Sequence, residues 1–366
     1  MIKYIITRVV WIFIILFVIL SMTFILYKLV PEYPPSKNDD KDMWLETQYG
    51  LGYYTREKFD NNNPEELERF NEIRNTNPNM NKTVFAVTPV KDSGISKIFY
   101  RVSIPEQYFK WLGNVFTKWD WGTSTVIRVN EPAFAVLSEN MGTTLSLNIA
   151  ALLFYLPFGF LFGIIAALKK NTWVDNVMQI VVMVFMAVPS LILILLLRFF
   201  LSYNANGMLP PSWPVRSVEG DWVATLGYVI PVLAMSLPAI ASLTRMLRAE
   251  LSEVLTSEYV LLAKTKGLSH SQAVVRHAIR NSMVPMVPVV IGSFAGLLGG
   301  SVVMELAYSI TGVGRVTLQA LTSANYDYNI LMVSTAFYGA IGLFTTLIVD
   351  ISYGFIDPQI RIGRKK

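Results

Sequence analysis

The sequence predicts an all-α polytopic membrane protein with six membrane-spanning helices and an extracytoplasmic insertion between the first two. Three observations predict it. Six stretches stay apolar for more than twenty residues each, long enough to cross a hydrocarbon core of about 30 Å. Of the 366 residues, 53% are hydrophobic and only 16% are charged, against about 25% charged in a soluble domain. The net charge of +5 is carried beside the apolar runs, a pattern that orients helices in a bilayer rather than one that reads nucleic acid. Helices are the expected form, because backbone groups in lipid must be satisfied within their own segment. Cysteine is absent, which excludes disulfides, thiolate metal sites and a thiol nucleophile.

Taken in order, the first run is about Val9 to Leu29. Lys3 and Arg8 precede it, as in a signal peptide, but it is too long for a signal core and no small-residue cleavage site follows, so it is expected to be a retained helix. Residues 31–142 are expected outside. Their first half is polar, with Asn61, Asn62 and Asn63 followed by an acidic, helix-like stretch from Pro64 to Arg74. Their second half regains aromatics at Tyr108, Phe109, Trp111, Phe116, Trp119 and Trp121. A small domain is expected there, with amphipathic helices resting on the membrane surface. The remaining runs are about Thr144 to Leu168, Asn176 to Leu201, Ala224 to Leu247, Met283 to Leu306 and Ile330 to Ile356, interrupted at Pro157, Pro189, Pro231 and Pro238. Between the last two runs, Val316, Leu318 and Leu321 suggest a short interfacial helix. The chain therefore divides into 1–30 (first helix), 31–142 (insertion) and 143–366 (a five-helix core), with a polar loop at 248–282.

Basic residues set the orientation. With the N-terminus inside, the inner segments hold 14 basic and six acidic residues, and the rest of the chain holds 17 basic and 20 acidic. Both termini are expected in the cytoplasm.

The polar loop reads as helix, break, helix. Good helix formers run from Glu258 to Lys266; Gly267 supplies a φ > 0 stop. Ser269 and Gln272 have the spacing of a capping box that starts a second helix. On it, Ala273, Val274, His277 and Ala278 are expected to form an apolar stripe, and Pro285 to begin the fifth membrane helix.

The order Tyr259, Ala263, Lys266-Gly267-Leu268, Arg276-His277-Ala278, Arg280-Asn281 and Pro285 resembles the EAA loop of ATP-binding-cassette importer permeases, in the form found in the dipeptide, oligopeptide and nickel family. Leu261 and Leu262 replace the first two letters of that motif. Three more stretches resemble the B-type subunit of this family: Asp120-Trp-Gly122-Thr-Ser124 with Pro132; Gly299-Gly300-Ser301, Glu305 and Ile310-Thr-Gly312-Val-Gly314-Arg315; and Asp350, Tyr353, Asp357-Pro358 and Ile360-Arg361, with Gln359 in place of an arginine. The resemblance does not cover about Pro31 to Ile104. It implies a MetI-like type I importer fold and a permease subunit forming half of a translocation pathway for peptides. It also implies a second homologous permease as partner in a heterodimer, two cytoplasmic ATPase subunits and an external substrate-binding protein. In this reading the second loop helix is a coupling helix seated on an ATPase. This chain carries no phosphate-loop motif, so it is expected to be no enzyme and to bind no cofactor; ATP and Mg belong to the ATPase partners. Nickel, heme or another small solute stays open as cargo.

Other residues stand out. Gly292, Gly296 and Gly300, four apart, let helices approach closely, either within this subunit or against a sliding partner. Arg198 and Glu305 are ionisable at membrane depth, and so are candidates for the pathway or for orienting the external loops. Asp350 is expected to be a structural partner for a basic loop residue. His277 has no second ligand at metal spacing. A secondary transporter would need an inverted repeat, which the sequence lacks. A membrane enzyme would have little to work with, since the only two histidines share one loop.

Overall fold

The computed structural model describes residues 2–30, 34, 38–88, 94–204, 207–323 and 326–356, with side chains at 2–4, 38, 216–217, 295, 297–300 and 353–356 outside that description. The chain is predominantly helical. It forms two compact units, one of residues 1–14, 140–315 and 338–366 and another of residues 15–139 and 316–337.

Four helices in the described residues are long and apolar enough to cross a membrane: Ile5–Leu29 within α1 (Ile2–Leu29), α5 (Ala133–Leu168), a stretch Val218–Leu255 that includes α9 (Val229–Leu255), and Tyr328–Ser352 within α14 (Tyr328–Ile356). The expected span from Met283 to Leu306 lies on α12 (Arg280–Ala307), whose 28 residues rise about 42 Å at ~1.5 Å each. The expected continuous span from Asn176 to Leu201 is not straight. It is a pair, α6 (Trp173–Ala187) and Ser190–Tyr203, bent by 100°. Pro189 causes the break: its ring forces Val188 out of the helical region, to φ −78°, ψ 120°. The second arm comprises α7 (Ser190–Arg198) and a π-helical turn, Phe199–Tyr203.

In the first unit, α5 and α9 meet closely at glycines. A Cβ on Gly159 would lie 2.6 Å from Leu243 Cδ2, and one on Gly163 would lie 2.8 Å from Leu247 Cβ. The spacing of four places both glycines on one face of α5, and the absent side chains let the backbones approach. At the ends of α6 and α9, Arg248 donates Nε and Nη2 to the two oxygens of Asp175, each at 2.6 Å, with Asp175 buried. Arg8 pairs with Asp350 at 3.3 Å, joining α1 to α14 within this unit.

The insertion adds a three-stranded antiparallel sheet, order β1-β3-β2, to a chain expected to be all helical: β1 (Tyr54–Asp60), β2 (Val84–Val87) and β3 (Ile95–Arg101). Register pairs Glu57 with Ile98 and Phe85 with Phe99, so one face carries Phe59, Val84 and Ile98 and the other Tyr54, Phe85 and Phe99. The acidic stretch is α3 (Pro64–Thr76), started by Asn63, whose side chain accepts from Glu65 N–H, and it buries Phe70 on the first face. On the other face, α2 (Asn38–Gly50) packs Trp44 edge-on to Tyr54. Its Asp42 and Glu46 bind Lys97 at 2.8 and 2.9 Å, and Glu46 also pairs with Arg56. Burial pushes the Glu46 carboxyl up, but the hydrogen bonds from Arg56 and Lys97 outweigh it and hold that group below its usual range.

Candidate coupling loop

The motif residues Ala263, Lys266, Gly267 and Leu268 form one device, a Schellman C-cap. Helix α10 (Glu258–Thr265) stops because Gly267 takes φ +92°. Gly267 N–H then donates to the Lys264 carbonyl at 3.0 Å, and Leu268 N–H donates to the Ala263 carbonyl at 3.3 Å. The Leu268 side chain returns to the same apolar cluster that buries Ala263. Lys266, the C-cap itself, is exposed.

The capping box follows at once. Ser269 Oγ accepts from Gln272 N–H at 3.3 Å, and the Gln272 side-chain oxygen accepts from Ser269 N–H at 3.1 Å. This starts α11 (His270–Ala273). Here the structure departs from the expected separate helix. The run passes through a π-helical segment, Val274–Ile279, straight into α12 with helical φ/ψ throughout, so Pro285 lies inside α12 rather than at its start. The π segment also changes the stripe. Bonds spaced five apart put Ala273 and Ala278 on the same buried face with Val274, while His277 turns out to solvent. The expected apolar stripe therefore loses its histidine.

The buried face of the loop, Val260, Ala263, Ala273 and Ala278, packs into a cluster with Tyr155 and Ala167 of α5 and Leu243, Leu247 and Leu251 of α9. The outward face carries Tyr259, Leu261, Leu262 and Val275 beside Arg276, His277, Arg280 and Asn281, all exposed. Large apolar side chains ringed by basic ones make a surface suited to a protein partner.

Away from the loop, the candidates separate. Gly292 and Gly296 have open space where a Cβ would stand, so among the described residues no neighbour rests on either; the side-chain surroundings of Gly300 lie outside the described residues. The glycines that do pack internally, Gly159 and Gly163, went unread in the sequence, although their Gly-x-x-x-Gly spacing signals it. Arg198 donates Nη1 to the Ala307 carbonyl at 2.9 Å, a cation placed on the last turn of α12. Glu305 is fully buried. It accepts from Thr144 Oγ1 at 2.8 Å and from Arg315 N–H at 3.0 Å, at the opening of α13 (Val313–Thr322), while Thr144 Oγ1 accepts from Val313 N–H at 2.8 Å. A Cβ on Gly312 would collide with this carboxylate, which accounts for a glycine there. Glu305 and Arg198 are thus braces of the α12–α13 turn and the α12 terminus.

The Asp120-Trp-Gly-Thr-Ser124 stretch has a role no spacing announced. Asp327, buried, accepts at one oxygen from Ser124 Oγ at 2.6 Å and from the N–H groups of Thr125, Val126 and Ile127 at 3.0 to 3.1 Å. Gly122 at φ +84° leaves room for Asn329, which donates to the Thr123 carbonyl. Of the C-terminal motif, residues 357–361 lie outside the described residues. Among the described residues, no three His, Asp or Glu side chains gather as a metal site.

Comparison with known proteins agrees with this arrangement. Residues 159–362 match the family described as binding-protein-dependent transport system inner membrane component. The chain is 32% identical over 257 residues to the dipeptide transport system permease protein DppB of Lactococcus lactis, covering 70% of this chain and 80% of that one. It is 29% identical over 296 residues to the DppB of Bacillus subtilis, covering 81% and 89%. A chain of the MetNI methionine ABC transporter in an inward-facing form shares the fold with a TM-score of 0.50, at 14% identity, over 62% of this chain and 99% of that one. Matched family residues cover the whole coupling loop and the fold is that of an importer permease, so the chain is an integral membrane protein belonging to the binding-protein-dependent transport system inner membrane component family.

Proposed function

We propose that this chain is the B-type permease subunit of an ATP-driven peptide importer, crossing the membrane six times with both termini in the cytoplasm. The outward face of the coupling loop carries the reading. Its backbone is fixed at both ends of the break, by the Schellman cap and by the capping box, and it presents Tyr259, Leu261, Leu262, Val275, Arg276, His277 and Arg280. A rigid, exposed, partly apolar and basic loop suits a groove on an ATPase subunit. Two such ATPases would bind ATP and Mg, and their closure would move the loops together and rock the membrane helices between two states. A second permease would complete the pathway. The open faces of Gly292 and Gly296 support α12 as the surface that meets it. An external binding protein would deliver the cargo, and the insertion within 31–142 would enlarge its platform. Peptide cargo is supported by the relatives named for dipeptide transport.

The test is Arg276→Glu, with Gly267→Pro alongside it, in the assembled transporter. Expected is loss of ATPase stimulation by peptide-loaded binding protein while the membrane core stays folded by gel filtration. Full stimulation in both variants overturns the coupling role. Deleting residues 38–92 should weaken capture of the binding protein; unchanged affinity removes the platform role.

A further inference from the structure

The insertion contains one helix whose outward face is out of place for a water-exposed domain. On α4 (Ile104–Lys118), Gln107, Trp111 and Val115 are buried, at i, i+4 and i+8. On the opposite side, Phe109 and Phe116, seven apart, are 69% and 72% exposed, and Trp119 just beyond the helix is 62% exposed. Two large aromatics at this exposure on one side of a 15-residue helix, with a third just past its end, are an unusual load for a surface in water. Aromatic side chains at such density belong to membrane interfaces, where flat amphipathic rings sit at headgroup depth.

The contacts of α4 say where that face lies. Tyr108 shares a hydrogen bond with Ser21 of α1 at 2.8 Å. Phe24 of α1 meets the rings of Tyr108 and Trp111 at 5.6 and 5.0 Å between centroids. The apolar run of α1 ends at Leu29, so Ser21 and Phe24 lie about 12 and 8 Å inside that end at ~1.5 Å per residue. Near the same end, the Lys28 ammonium is held between the Tyr53 and Tyr328 rings at 4.5 and 4.2 Å. Helix α4 is therefore fastened to α1 below the point where α1 leaves the apolar layer, and its neighbouring residue Phe109 is at the same depth.

We infer that α4 is an interfacial helix sunk into the outer leaflet, with Phe109, Phe116 and Trp119 in contact with phospholipid. The occupant of this face is the bilayer that α1 crosses. The helix has the form of a monotopic anchor, an apolar aromatic edge with polar residues beside it. Lys110 is held within the insertion, donating to Glu106 at 2.7 Å and to the Gly52 carbonyl at 3.2 Å, while Lys118, exposed in the last turn of α4, has a stem long enough to carry its ammonium to headgroup phosphates. The anchor holds the base of the insertion at the membrane surface. The inference rests on reading α1 as a membrane helix with its Leu29 end outward, and one control tests that reading separately.

The chain has no cysteine, so an introduced one is its single thiol, and the purified chain is labelled before it is assembled with its partners. Phe109→Cys and Phe116→Cys would carry a nitroxide in the assembled transporter, reconstituted in phosphatidylcholine–phosphatidylglycerol nanodiscs. Met22→Cys on the exposed side of α1 is the lipid reference, and Asn75→Cys on α3 the water reference. Collision rates with oxygen and with a soluble nickel chelate are measured at each. The expected result is an oxygen-to-nickel ratio at 109 and 116 several-fold above that at 75 and close to that at 22. Nickel access at 109 and 116 equal to that at 75 overturns the inference, as the face then stands in water. Protection from both reagents also overturns it, as a protein then covers the face. Water-like access at 22 itself would fault the assignment of α1 instead.

Discussion

Two pairs of glycines spaced four apart make a matched experiment on helix packing. In Gly159→Ala/Gly163→Ala each new methyl lands on a neighbour that cannot swing away. The Leu243 Cβ stands 3.0 Å from the first and the Leu247 Cβ 2.8 Å from the second, and a Cβ moves only with its backbone. Overpacking of this kind costs about 1–3 kcal/mol per site, and alanine returns about 1 kcal/mol of helix propensity over glycine. The net is a loss of about 1 kcal/mol per site, or about 2 kcal/mol for the pair, since α5 must move away from α9. In Gly292→Ala/Gly296→Ala nothing lies within 4 Å of either methyl, so the propensity gain stands unopposed at up to ~1 kcal/mol per site. The two double variants should therefore differ by about 3–4 kcal/mol in the isolated subunit. The assay is unfolding of the purified chain in mixed sodium dodecyl sulfate–dodecyl maltoside micelles. Equal stability of the two variants would refute the packing argument. A loss confined to 292/296 and seen only in the full transporter would locate that face against a partner.

Other perturbations test the braces. Arg248→Ala strands the Asp175 carboxylate in a buried site and should cost on the order of 3 kcal/mol, read by the same micelle titration; Asp175→Ala/Arg248→Ala should cost less than the sum of the single changes. Asp327→Ala leaves the Thr125, Val126 and Ile127 N–H groups without their shared acceptor. It should destabilise the 120–132 loop by about 1–3 kcal/mol, visible as faster hydrogen exchange at those amides. Glu46 is held below its usual range when folded, so its contribution is complete above the unfolded value of about 4.3 and is lost as pH falls through the lower folded value. Amide exchange in β1 and β3 of the intact transporter should therefore quicken on acidification below that range, and Glu46→Gln should flatten the response.

Much of the coupling loop was legible because its signals are local. A glycine needing φ > 0, a serine followed three residues later by glutamine, and small residues one turn apart each act within a few positions. Gly267 and Ser269 with Gln272 take the expected conformations. What followed was not legible. The π segment that carries the loop into α12 and turns His277 outward depends on which residues α5 and α9 offer the stripe. Pro189 announced an interruption but not the 100° between the two arms.

The sequence by itself determined the membrane class, the apolar runs, the stop and start of the polar loop, and the family. All of these follow from transfer free energy summed along a segment or from backbone preferences within a turn. Only the tertiary structure decided the partners of distant polar groups. Glu305 became a brace because Thr144 and Arg315 reach it, and Asp327 because residues 124–127 curl around it from some 200 positions away. It also decided which glycine stripe is packed within the chain and which is left open, because a missing side chain has the same local chemistry at 163 and at 296 and differs only in what stands opposite.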